Sequence, residues 1–312
     1  MKLAVIGAAV LWGTAGTAGL LVTGVDPVSM AAARLVIGGL VLAAVTGPAR
    51  LLRLPRGPLP ARGRRLPARL GPLAAAAMAV AAYQLCFFAA VSRTGVAVGT
   101  VVAIGSGPVF TGLLSWLLDR VRPSRRWATA TAVAIAGCAV LTGGGGEVRA
   151  DGVTDGVTDG VLFALFGGLL YAFYAVTAAR TISAGAPSDA VMGLMFGGAA
   201  VVMVPVLLWT GTGWLAEPRG LLTALYLGCA TTALAYLLYG RGLRTTPVAT
   251  AATLALAEPA VATLLGVVVL GERLGPVSVT GLLLLGASLV AVSLPERVSP
   301  SGRDRRAIGS SA

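Results

Sequence analysis

Apolar runs of about 20 residues, the length that crossing a bilayer requires, recur along the whole chain between short polar or basic stretches. On this pattern we place membrane helices over residues 3–22, 28–46, 71–92, 95–118 and 127–143, and again over 160–179, 190–210, 220–239, 247–270 and 275–294. The first run follows Lys2 and has the outline of a signal peptide. It continues to Val25 without a clear cleavage site, so it reads as a membrane helix. The stretch 50–69 carries seven arginines and four prolines and reads as a loop. Residues 143–160, GGGGEVRADGVTDGVTDG, read as a flexible linker between two halves. Their acids lie four apart, which does not match the ligand spacing of a calcium loop.

The pattern predicts an all-α membrane protein. Ten transmembrane helices form two five-helix repeats, over residues 1–145 and 160–295, joined by an outward-facing linker, 146–159. A basic tail, 296–312, follows. Five is odd, so the second repeat enters the membrane upside down. Local matches support the repeat: Thr94, Val96, Ala97 and Ala103 align with Thr246, Val248, Ala249 and Ala255 at a constant offset. DRVRP at 119–123 aligns with ERLGP at 272–276, and Pro108 aligns with Pro259 after a one-residue shift. Inverted repeats with a proline-interrupted helix in each half mark transporters whose substrate site lies near the midplane.

Composition and charge sharpen this. The hydrophobic fraction is 56% and the charged fraction 12%, about half the charge of an ordinary soluble domain. A net charge of +12 raises nucleic acid as a partner, but the basic residues sit in short loops beside apolar runs. That is a topology signal. Only Arg93, Arg149, Arg219 and Arg273 fall on one side of the ten-span arrangement; Lys2 and the other loop and tail arginines share the opposite side. The bias puts both termini in the cytoplasm. With no histidine in the chain, His-based metal sites, triads and proton shuttles are excluded. Cys86, Cys138 and Cys229 all lie in apolar runs and do not suggest a disulfide framework. No GxxxxGK[ST] loop is present, so this chain does not itself use ATP.

A few polar residues stand out at helical depth. Glu258 lies mid-span, and a carboxylate there must face protein or a water-filled cavity. Pro259 follows it and deprives the Ala255 carbonyl of its helical partner. Pro259 and Pro108 are therefore expected to break their helices. Arg34 lies about two turns from the outer surface and either serves the structure or holds a substrate carboxylate. Trp12 is mid-span, whereas Trp116, Trp127, Trp209 and Trp214 fall where interfacial belts form. Tyr83 and Gln84 match Ala235 and Tyr236 of the other half. With Tyr171, Tyr174 and Tyr239 they form a polar aromatic set suited to an amphipathic organic substrate. Each of these is, taken alone, as well explained by packing.

Several stretches together resemble the EamA family of the drug/metabolite transporter superfamily. They are VLWGTAG (10–16), the pair Pro27 and Arg34, GVLFALFGGLLYAFYAVTAAR (160–180) and ALAYLLYGRGLRTTPVATAATLALAEPAVATLLGVVVLGERL (233–274). The resemblance implies ten helices in a bacterial inner membrane and secondary export of an amino acid, another small metabolite or a drug, without a cofactor. A proton bound at Glu258 would couple transport to the pH gradient. The first repeat departs from the second: GSGP (105–108) stands where LAEP stands in the other half, so only the second half offers a membrane carboxylate. A membrane-embedded enzyme and a channel or scaffold are the competing readings.

Overall fold

The computed structural model describes residues 2–47, 67–120, 122–143 and 157–294. Most of the arginine-rich loop, most of the linker and the basic tail lie outside the described residues.

All regular structure among the described residues is helical. The first half contains α1 (Lys2–Gly19), α2 (Pro27–Thr46), α3 (Pro67–Asp119) and α4 (Arg125–Gly143). The second half opens with α5 (Val157–Ser183) and α6 (Ser188–Thr210). Its third crossing consists of α7 (Pro218–Gly228), a π-helical segment (Cys229–Leu234) and α8 (Ala235–Leu243). Its fourth is α9 (Val248–Ala255) followed by α10 (Ala257–Leu270), and its fifth is α11 (Pro276–Ser293).

At 53 residues, α3 is far too long for one crossing of a ~30 Å core. It folds back at Gly95, where φ is 81° and ψ 162°. Contacts with α5 prove the reversal. Gly160 lies against Arg93 and Thr94 beside the bend, and farther along α5 Gly167 approaches Tyr83 while Gly168 approaches Ser106. One stretch of α5 thus touches residues about equally far before and after Gly95. Among the described residues nine helices are long and apolar enough to cross a membrane, and the fold-back at Gly95 divides the longest of them into two arms. The element boundaries move by a few residues; α5, for instance, starts at Val157 rather than at 160.

Side chains sort inside out relative to a soluble fold. Trp209 is 90% exposed and Val268 81% exposed, while alanines and glycines fill the contacts between helices. Bilayer lipid tolerates an apolar exterior, and close helix packing needs small residues inside. A methyl added at Gly39 of α2 would lie 2.2 Å from the Phe196 carbonyl oxygen of α6. One added at Gly281 of α11 would lie 2.8 Å from the Gly137 carbonyl oxygen of α4.

The helices pair across the two halves: α2 with α6, α4 with α11, α3 with α5, and α1 with α8 and α10. Lys2 donates to the Ser293 carbonyl at 2.8 Å, Arg126 donates to the Ala291 carbonyl, and Arg180 pairs with Asp119 at 3.3 Å. These contacts define one face of the bundle. The opposite face carries the α1–α2 turn, Gly95 and the end of α4. There Ser29 donates to the Gly211 carbonyl at 2.8 Å and accepts from Trp214 Nε1 at 2.9 Å.

Of the two expected breaks, the one at Pro108 is absent and the one ahead of Pro259 is present. The helix continues through Pro108, which is buried; the interruption in that half lies at Gly95 instead. A proline removes one backbone N–H, and a membrane helix packed among others absorbs that loss. In the second half the interruption falls at Leu256, between α9 and α10, and Pro259 sits in the first turn of α10.

Candidate functional site

A cavity of about 650 Å³ occupies the middle of the bundle. Its wall includes Trp12 from α1, Arg34 from α2, and Tyr83 and Gln84 from the first arm of α3. It also includes Tyr171 and Tyr174 from α5, Tyr236 from α8, and Glu258 and Pro259 from α10. Of the residues singled out in the sequence for substrate contact, all but Tyr239 border this one space. Pro108 does not border it. Phe87, Phe88, Thr100 and Thr142 also line it, and nothing in their local sequence marks them out.

The cavity has a direction. Gly19, Val22, Val25 and Pro27 at the α1–α2 turn, Val96 beside the Gly95 bend, and Thr142 at the end of α4 all border it. It therefore opens at the face opposite the Lys2–Ser293 contact. At its inner end lies an aromatic floor. Tyr171 and Tyr239 bring their hydroxyls within 3.2 Å, and one helical turn away those of Tyr174 and Tyr236 come within 3.3 Å. Trp12 packs on this floor, with ring centroids 5.1 Å from Tyr236 and 5.5 Å from Tyr239. Beyond the floor the core is closed by buried Val5, Met192 and Leu243. The indole Nε1 of Trp12 is buried without a hydrogen-bond partner among the described residues. An unpaired buried donor is costly.

Glu258 sits in the first turn of α10, where backbone N–H groups and the helix dipole favour negative charge. Helix α1 reaches it because Gly13 has no side chain: a methyl there would lie 2.8 Å from the Glu258 carbonyl oxygen and 2.6 Å from Val261 Cβ. Across the cavity Arg34 donates through Nε to Thr232 Oγ1 at 3.2 Å. Arg34 and Glu258 form no salt bridge with each other among the described residues. The site therefore keeps a cationic and an anionic group on its wall without joining them.

The π-helical turn that carries Thr232 is all but invisible in the residue pattern. Paired threonines in the apolar run CATTAL are the one feature that hints at it. Tyr239, which belongs to the tyrosine set in the sequence, lies in the floor rather than in the wall. The described residues contain no cluster of His, Cys, Asp or Glu suited to a metal.

A bundle of apolar, membrane-length helices around a cavity that opens on one face suits a membrane transporter. Sequence comparison agrees: the profile of the EamA-like transporter family matches residues 1–143 and 158–294, and the chain belongs to that family. A relative in Bacillus subtilis (strain 168), described as the uncharacterized transporter YwfM, is 37% identical over 297 residues, covering 95% of this chain and 94% of its own. A solved crystal structure at 20% identity superposes with a TM-score of 0.76 over 94% of this chain and 96% of its own, which shows a shared fold.

Proposed function

We propose that this protein is a secondary transporter that exports a small organic solute with an apolar or aromatic body and both an acidic and a basic group. An amino acid or an amphipathic drug fits that description, and protons move the other way. The observation that carries the reading is the pairing of Arg34 and Glu258, unjoined, on the wall of one aromatic cavity. A charged group in a membrane core is retained where it serves a pathway or a ligand. Arg34 would hold the acidic group of the solute. Glu258 would hold its basic group or, in its absence, a proton. Competition of the two for one carboxyl is the simplest scheme for antiport. Export is the direction that the family resemblance implies.

Alternating access would follow from two inverted repeats moving against each other. Support comes from the exchange of helices between halves and from directions. The arm of α3 that contains Pro108 ends at Asp119, on the Lys2 face. Helix α9 starts from that face, since α8 ends beside Val5 of α1, where a methyl added to Gly242 would meet Val5 Cγ2. The two proline-bearing crossings thus run in opposite directions. The clustering of Lys2, Arg126, Arg180 and Arg244 toward one face favours cytoplasmic termini in a bacterial inner membrane. The cavity then opens outward, as in the state that releases exported solute.

Reconstitution in proteoliposomes tests this. A panel of amino acids and cationic drugs is presented with and without an imposed pH gradient. Saturable flux of at least one zwitterionic solute, accelerated by the gradient, is expected. Flux that neither saturates nor responds to the gradient would point to a channel, and no flux for any zwitterion would overturn the substrate class.

A further inference from the structure

The π-helical turn Cys229–Leu234 has no role in the reading so far. Such turns insert one extra residue into a helix, carry a cost in regularity, and are found frequently at functional sites. Here the middle of the turn holds Thr231 and Thr232, both directed at one backbone acceptor. Thr231 donates to the Leu227 carbonyl at 2.7 Å and Thr232 donates to the same carbonyl at 3.0 Å. With its proton committed to Leu227, the Thr232 oxygen presents its lone pairs outward, and Arg34 Nε donates to it at 3.2 Å. Arg34 and Leu227 both line the central cavity.

Two glycines let this contact form. Gly38 lies one turn after Arg34 on α2, and a methyl added there would lie 2.5 Å from Thr232 Cβ and 2.7 Å from the Gly228 carbonyl oxygen. A methyl added at Gly228, just before the π turn, would lie 2.6 Å from Ile37 Cβ. Helix α2 and the π turn thus meet backbone to backbone. In this register the guanidinium is tethered by its inner nitrogen, and both Nη nitrogens lack a protein partner among the described residues. The paired N–H groups at the outer end of a guanidinium match the two oxygens of a carboxylate, a bidentate geometry that a lysine cannot offer.

We propose that Thr232 is a positioning residue, which fixes Arg34 through Nε so that its Nη pair selects solutes bearing a carboxylate. This deepens the proposed function and rests on Arg34 binding the acidic group. Thr232→Val keeps the shape of the side chain and removes the acceptor. Thr232→Ser restores it.

The test uses L-phenylalanine counterflow in proteoliposomes, with phenylacetate (carboxylate, no amine) and phenethylamine (amine, no carboxylate) as competitors. In Thr232→Val the KM for L-phenylalanine and the inhibition constant of phenylacetate should both rise about tenfold, the worth of one charge-assisted hydrogen bond. The inhibition constant of phenethylamine and the maximal rate should hold, and Thr232→Ser should return the wild-type values. Equal weakening toward both competitors, or a loss of rate without a change in KM, would make Thr232 a packing residue and overturn the proposal. Unchanged constants would overturn it as well. Wild-type protein that neither moves L-phenylalanine nor binds phenylacetate would instead contradict the reading of Arg34, and Thr232's role would fall with it.

Discussion

At the scale of single residues, the proposed proton coupling rests on Glu258. Its carboxyl lines a cavity open to one side and lies in the first turn of α10. Glu258→Gln keeps the shape but cannot exchange a proton. This variant should fold and insert normally, while its substrate flux becomes independent of an imposed pH gradient. Glu258→Ala should in addition lower the yield of folded protein. Flux measured at several gradients checks both, and gradient-driven flux that persists in the Gln variant would make Glu258 structural. The sequence exposes this residue because a lone acid in a long apolar run is costly and therefore conspicuous. Trp12, Arg34 and the tyrosines are legible for the same reason: they are large or polar groups at membrane depth. Thr232 and Phe87 are not, because threonine and phenylalanine are ordinary in membrane helices and only the packing of α2 against the π turn, or the course of the α3 arm, gives them a place.

At the scale of elements, helix lengths follow from hydropathy, whereas helix interruptions do not follow from proline alone. Pro108 leaves its helix continuous, while Gly95 turns the chain back and Leu256 separates α9 from α10. A proline costs one N–H, which neighbouring helices can offset; a hairpin needs a dihedral pair that only one residue type reaches easily. At Gly95 the combination of φ 81° and ψ 162° lies in a region that is essentially confined to glycine. Gly95→Ala should therefore destabilise the protein by about 1–3 kcal/mol. Thermal unfolding of the detergent-solubilised protein would show a lower midpoint. An unchanged midpoint would mean that the chain reverses elsewhere. The glycine contacts at Gly39 and Gly281 belong to the same lesson: small-residue stripes are visible in the sequence, but their partners are set by which helices the topology brings together.

At the scale of the whole molecule, the two faces of the bundle are inequivalent. In a cysteine-free background, single cysteines at Thr23 and Arg244 lie in the α1–α2 and α8–α9 turns, on opposite faces. An impermeant thiol reagent added to intact cells should label the first and spare the second. Labelling of both from outside would contradict the ten-crossing arrangement. The expected orientation rests on the charge bias along the sequence, because cationic loops are retained in the cytoplasm. The direction in which the cavity opens could not be anticipated, since it depends on how the two halves lean on each other.

In the proposed mechanism solute crosses through the cavity between Arg34 and Glu258. Ala262 lines that cavity on α10, so Ala262→Cys in the cysteine-free background places one thiol inside the pathway. The decisive measurement is L-phenylalanine counterflow in proteoliposomes before and after that thiol is modified by a bulky, impermeant methanethiosulfonate applied from the face of the α1–α2 turn. Modification should abolish flux, and excess L-phenylalanine should slow the modification. Full flux after complete modification, with no protection by the solute, would place the pathway elsewhere.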